Sequence, residues 1–301
     1  MAESDKQAYE KLRLSGKILR ETREEMKSFV REGMPIIEIC EKAEALIRKK
    51  GAKPAFPCNV SVNEIAAHYT SPPDDTAIIP EQSVVKVDIG AHVDGYLTDT
   101  AVTVCFNTEY KGLVEAAERA LKAAVENIQP EMSTSKLGSI IETTIKSRGF
   151  KPVSNLTGHQ VGRYVVHTGT SLPNVSQLSF SKIKLGGVYA IEPFVTLPKA
   201  AGRVENGDEV TIFRFLKSRS VQNPHAKQLL KYIEDSFRTL PFAERWLKDV
   251  VSQEYRKEAF HELLRSKTLM QYPIFVEASG KMVAQAEHTV LIVENGCVVL
   301  T

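Results

Sequence analysis

Four carboxylates and one histidine stand out because they could serve a single piece of chemistry. Asp88 and Asp99 each interrupt an apolar alternation, in Val85-Lys86-Val87-Asp88-Ile89 and in Leu97-Thr98-Asp99-Thr100-Ala101-Val102. Glu192 lies in Tyr189-Ala190-Ile191-Glu192-Pro193-Phe194, and Glu287 in Ala284-Gln285-Ala286-Glu287-His288-Thr289-Val290-Leu291, so both sit inside strand-like apolar runs. A carboxylate taken out of water needs a partner. His159 follows Thr157-Gly158, and His167 stands eight positions on, an even spacing that keeps both on one face if the segment is extended. Taken singly, each Asp could cap a turn or face water, and a lone His is more often structural. Taken together they invite a common reading.

Geometry supplies the link for the two aspartates. Asp94-Gly95 is the strongest short-range hairpin signal a sequence offers. With these as the central turn residues, Asp99 falls opposite Gly90 and Asp88 opposite Ala101. The two carboxylates become diagonal neighbours on one face, roughly 7–8 Å apart at the backbone. Two buried anions so close are costly unless a cation lies between them. Gly90, with no side chain opposite Asp99, is expected to leave room for it. Four carboxylates and a neutral imidazole balance the charge of two divalent ions, and this oxygen-rich set suits Mn, Fe, Co or Zn rather than a thiolate zinc site. Two such ions about 3.5–4 Å apart lower the pKa of a bridging water and polarise a carbonyl, which is hydrolytic chemistry.

The elements that must position these residues read as an α+β chain. Apolar spacing predicts two helices within 7–50, the second opened by Met34-Pro35 and closed by Gly51. Two more are expected over 113–128 and 135–148, the latter entered through Ser133-Thr134-Ser135 and left through Gly149. Short β-branched runs over 187–195, 209–216, 282–293 and 296–300 read as strands. Between 220 and 271 the texture turns helical, with Leu229, Leu230, Ile233 and Phe237, then Phe242, Trp246, Leu247 and Val250, then Phe260, Leu263 and Leu264 at helical spacing. The expected division is a catalytic domain of residues 1–219 and 272–301, interrupted by an inserted helical subdomain, 220–271.

Composition narrows the classes. The chain has 301 residues, 43% of them hydrophobic and 25% charged, with a formal net charge of +2, which places it among ordinary globular proteins. So mild a balance does not call for nucleic acid, and the 220–271 segment carries nine Lys/Arg against seven Asp/Glu, so nucleic-acid binding is not expected there either. The first thirty residues are too charge-dense for a signal peptide and no run approaches a membrane span, so the expected location is the cytoplasm. Cys40, Cys58, Cys105 and Cys297 are too scattered for a CxxC motif and read as free thiols.

In order along the chain, Lys86-Val87-Asp88-Ile89-Gly90, Asp94-Gly95, Asp99-Thr100-Ala101, Gly158-His159 with His167, Ala190-Ile191-Glu192-Pro193-Phe194 and Gln285-Ala286-Glu287-His288-Thr289 resemble the ligand motifs of type II methionine aminopeptidases. The resemblance covers nearly the whole chain, includes the helical insertion before the last ligand, and looks like the archaeal form because no long charged extension precedes it. It implies the pita-bread fold, with two divalent metal ions in a central cleft. Asp88 would chelate one ion, Asp99 and Glu287 would bridge both, and His159 and Glu192 would complete the other shell. Glu192 would also be the general base. His68, in Ile65-Ala66-Ala67-His68-Tyr69-Thr70, and His167 would contact the substrate, while Phe56, Val166 and Ile212 would wall the methionine pocket. The implied activity is removal of the N-terminal methionine from nascent polypeptides ahead of a small second residue, by metal-bound hydroxide attack on the first peptide carbonyl. The implied enzyme is a cytoplasmic monomer, with the ribosome as a candidate partner. Gln160, where a small residue is usual, and the polar stretch 196–207 depart from the pattern and blur the pocket edge near Ile212. A Pro-directed peptidase and a non-catalytic scaffold of the same fold are the competing readings; an assay of Met-Ala-Ser against an X-Pro dipeptide separates the first, and metal content the second.

Overall fold

The computed structural model describes residues 3–301. Helix α1 (Glu3–Phe29) and helix α2 (Ile36–Lys49) turn Ile18, Leu19, Met26, Ile39, Cys40 and Ile47 inward at helical spacing, and the short strands β1 (Lys53–Pro54), β2 (Asn59–Val62) and β3 (Ile65–Ala67) follow. Strands β4 (Val84–Val93) and β5 (Tyr96–Cys105) form the expected hairpin. Asp94 and Gly95 both take positive φ, 51° and 84°, as a turn matched to strand twist requires. The register pairs Gly90 with Asp99 and Asp88 with Ala101, as the turn residues imply. Helix α1 lies across this hairpin and closes one apolar core with α2.

The second half repeats the plan. Helix α3 (Lys111–Asn127) and helix α4 (Thr134–Ser147) cover a second core; the Ser133 side chain caps α4 by accepting from the Lys136 N–H at 3.2 Å. Strands β6 (Lys151–Pro152), β7 (Thr157–Gly162), β8 (Val165–Pro173), β9 (Val188–Ile191), β10 (Phe194–Thr196) and β11 (Val204–Phe215) follow. Next come α5 (Pro224–Phe237), β12 (Pro241–Ala243), α6 (Gln253–Arg265), β13 (Leu269–Glu277), β14 (Val283–Gln285), β15 (Glu287–Val293) and β16 (Gly296–Val299). The central sheet runs β1-β4-β5-β15-β9-β7-β8, with β2 added on β4 and β16 on β15. It brings the Asp88/Asp99 hairpin, Glu287 and His159 onto one surface.

Three expectations need correction. The run 187–195 is not one strand: it breaks at Glu192-Pro193, because proline cannot donate to a ladder, and β9 and β10 join different sheets. The run 282–293 is likewise two strands, broken at Ala286, with β14 in the sheet of β10 and β15 in the central sheet. The apolar residues from Phe242 to Val250 are not helical. Phe242 lies in β12, paired with Phe213 of β11, and Trp246 and Leu247 lie in a single 3-10 turn, Glu244–Leu247. Pro241 interrupts helix formation, and pairing with β11 outweighs spacing. Their side chains still share a separate apolar cluster with α5 and α6.

Candidate metal centre

All five chemistry-bearing residues line one cavity of about 240 Å³. Each arrives on a different piece of sheet: Asp88 on β4, Asp99 on β5, His159 on β7, Glu192 just past the end of β9, and Glu287 at the start of β15. His159 Nε2 lies 3.4 Å from Glu192 Oε1 and 3.7 Å from Asp99 Oδ2. One donor atom each from Asp99, His159 and Glu287 fall within 4.8 Å of one another. The Pro193 break gives Glu192 its direction, since it ends β9 where the chain must turn away.

The electrostatics are those of a site built around positive charge. Burial pushes the Asp88 carboxyl up to about 7. Asp99, Glu192 and Glu287 are held well above the usual carboxylate range, first by burial and then by neighbouring carboxylates, Asp88 foremost for Asp99 and Glu192 and Asp99 for Glu287. Burial, with His167 beside it, keeps His159 neutral, so a nitrogen facing two carboxylates is a lone-pair donor rather than an ion-pair cation. Asp88 Oδ1, Asp99 Oδ1 and Glu287 Oε1 are buried with no hydrogen-bond partner, whereas Glu287 Oε2 accepts from Gln285 Nε2 at 3.2 Å. Buried carboxylate oxygens left bare cost on the order of 1–3 kcal/mol each or more. Divalent cations fit this donor set: hard oxygens, a neutral nitrogen, and formal charge to be balanced.

The other expected residues also reach the cavity. Phe56, His68, Val166, His167 and Ile212 all line it. His68, in a left-handed backbone conformation with φ 68°, packs on Phe275 at 4.6 Å and edge-on to Tyr272 at 5.8 Å. His167 stacks obliquely on His159 at 4.1 Å between centroids. That nearness does not come from even spacing along one strand, as expected, because the chain turns between them and they sit on the paired strands β7 and β8 with irregular register. Nor does Gly90 make room for an ion. A Cβ there would meet Phe56 Cε1 at 2.2 Å, so the space opposite Asp99 belongs to the Phe56 ring.

Sequence reasoning missed Asn59, Pro241, Tyr272 and Phe275, which line the cavity together with Ala67, Phe194 and the Asn155-Leu156-Thr157 stretch. Asn59 is the cross-strand partner of Asp88. Only the β2–β4 register reveals it. Tyr272 and Phe275 arrive on β13, after the insertion, where nothing local separates a cavity wall from a core residue.

Residues 10–217 match the model of metallopeptidase family M24, which is more than half of the chain. The chain belongs to metallopeptidase family M24. A methionine aminopeptidase of Methanocaldococcus jannaschii is 44% identical over 98% of this chain and 99% of its own length. Among solved structures, a thermophilic Arx1 matches with TM-score 0.81 at 18% identity, covering 98% of this chain and 90% of that one. The methionine aminopeptidase of Thermotoga maritima matches with TM-score 0.71 at 23% identity, covering 100% and 98%. The fold is thus the pita-bread arrangement of M24, and members of this family are hydrolases that use divalent metal. In this M24 chain the carboxylate-rich cavity is where such ions fit.

Proposed function

We propose that this M24 chain is a methionine aminopeptidase that removes the N-terminal methionine from nascent polypeptides in the cytoplasm, preferring a small second residue. Asp88, Asp99, His159, Glu192 and Glu287 would hold two divalent ions, with Mn, Fe, Co and Zn all suited to the donors. The observation that carries this reading is the convergence of four carboxylates, three of them with a buried oxygen that has no hydrogen-bond partner, and a neutral imidazole on one cavity with apolar walls. Bound there, divalent ions supply Lewis acidity and bring the pKa of a coordinated water towards neutrality.

The chain's own groups account for the rest. Glu192 is the proton acceptor: a carboxylate lining the cavity, its basicity raised by burial, can take a proton and pass it to the leaving amine. His167, kept neutral with burial as the first cause, offers an N–H donor to the substrate carbonyl without adding charge that would repel cations, while neutral His68 spends its Nδ1–H on the Pro273 carbonyl at 3.4 Å and presents Nε2 as an acceptor for a substrate N–H. Phe56, Val166 and Ile212, joined by Tyr272 and Phe275, bound the space for the thioether side chain. At about 240 Å³ the cavity is smaller than the ~300–1,000 Å³ typical of drug-sized sites. It suits one side chain and a narrow peptide entry, consistent with a small second residue and with action on the chain end alone.

Chelator-stripped protein should release no Met from Met-Ala-Ser and should recover on addition of Mn(II), while an X-Pro dipeptide stays intact. Undiminished release after chelation, or faster cleavage of the X-Pro dipeptide, would overturn the reading.

A further inference from the structure

Two carboxylates of the site, Asp99 and Glu287, stand on neighbouring strands whose main chains should hold them by ordinary ladder bonds. The ladder between β5 and β15 is short: Glu287 pairs with Ala101 and His288 with Thr100. One step further, Asp99 lies opposite Thr289, and there the ladder ends. Thr289 has spent its main chain elsewhere on that edge, its N–H donating to Thr301 Oγ1 at 3.0 Å and its carbonyl accepting from the Leu300 N–H at 2.9 Å. Strand β16 takes over from β5 as the partner of β15 from Val290 onward. Asp99 therefore sits at a fork in the sheet.

The Thr289 hydroxyl fills the fork. It accepts from the Asp99 N–H at 2.7 Å and donates to the Asp99 carbonyl at 2.7 Å, replacing both missing ladder bonds. A reciprocal bond runs the other way, where the Thr100 hydroxyl donates to the Glu287 carbonyl at 2.7 Å. Its proton is committed to that carbonyl because Arg23 Nη1, which can only donate, occupies the oxygen at 2.7 Å and reaches His288 Nδ1 at 3.0 Å. Both threonines are fully buried. Thr100 follows Asp99 in sequence and grips the Glu287 main chain, and Thr289, two residues past Glu287, grips the Asp99 main chain.

We propose that Thr289 and Thr100 are positioning residues that aim Asp99 and Glu287 at the metal site through their backbones. Resting on the two-ion reading, this gives the threonines a task beyond filling the sheet: they fasten the main chains of Asp99 and Glu287, whose Oδ1 and Oε1 are buried without a hydrogen-bond partner and which line the same cavity. A hydroxyl is required and a methyl is not, so Val, which keeps the shape, loses the function, and Ser, which keeps the oxygen, retains it.

The test is Mn(II) titration calorimetry on the chelator-stripped full chain, with far-ultraviolet circular dichroism to establish folding. Thr289→Val and Thr100→Val should bind Mn(II) roughly 10–100-fold more weakly than the parent, the range seen when outer partners of metal ligands are removed. Thr289→Ser should bind close to the parent. Should Thr289→Val not fold, Thr100→Val and Thr289→Ser carry the comparison. Folded Val variants that bind as tightly as the parent, or a Ser variant as weak as Val, would overturn the positioning role while leaving the metal site standing. A parent protein that takes up no Mn(II) would instead overturn the two-ion reading, and this inference with it.

Discussion

At Gly90 the missing side chain matters because of what occupies its place. An added Cβ would fall 2.2 Å from Phe56 Cε1 and 2.6 Å from Cδ1, and the ring is itself wedged among Leu97, Val161, Val166 and Leu240. It cannot swing aside freely. Gly90→Ala should therefore destabilise the fold by about 1–3 kcal/mol, the usual cost of overpacking, and raise the KM for Met-Ala-Ser because Phe56 is displaced into the cavity. Urea midpoints and steady-state kinetics check both; an unchanged KM would separate Phe56 from the methionine pocket. The four carboxylates were noticeable because each breaks an apolar run, whereas His159, in Thr157-Gly158-His159-Gln160, became legible only in their company. Asn59 was not legible, since a polar residue in Cys58-Asn59-Val60-Ser61-Val62 acquires its meaning only from lying opposite Asp88.

Among the elements, the β4–β5 hairpin was readable down to its register because a two-residue turn fixes every later pair. Long-range pairing carried no such signal. Nothing around Phe242 announces that it must pair with Phe213, and the run from Phe242 to Val250 keeps helical spacing although β11 draws its start into a sheet. The same holds for the link between the 220–271 segment and α2. The buried Arg245 guanidinium donates to Glu44, and to Thr70 Oγ1 and the Ser71 carbonyl at 2.8 Å each, while the Trp246 indole N–H reaches Glu44 Oε2 at 2.6 Å. Both residues come from the short 3-10 turn that spacing misread as helix, so the departure from regular structure is also where the segment is fastened. Thr70 in turn donates its N–H to Thr211 Oγ1, which bonds the His68 carbonyl at 3.2 Å, so the fastening reaches the segment that carries a cavity histidine in a strained conformation.

For the molecule as a whole, the site makes stability depend on pH when ions are stripped away. A carboxyl whose folded pKa is raised stabilises the fold below its unfolded pKa, and that contribution is lost as pH rises through the folded value. For Asp88 the window runs from roughly 4 to about 7, and Asp99, Glu192 and Glu287 act in the same sense. His92 and His288, lowered to about 4 chiefly by burial, act in the opposite sense as pH falls from about 6.5, and Lys86 is lowered to about 7. A difference measurement removes these, since they titrate alike in parent and variant. Metal-free Asp88→Asn should gain melting temperature relative to metal-free parent between pH 5 and pH 8; a gap that stays constant over that range would show that Asp88 is not held protonated. Among the described residues no helix is long and apolar enough to cross a membrane.

Anomalous scattering from crystals grown with Mn(II) would show whether the five donors on β4, β5 and β7, just past β9, and on β15 hold a pair of cations. Two peaks about 3.5–4 Å apart are expected, both within bonding reach of the Asp99 and Glu287 carboxylates, with Asp88 on one and His159 and Glu192 on the other. Manganese bound elsewhere, or no peak in this cavity while Glu192 and Glu287 remain free of metal, would contradict that arrangement.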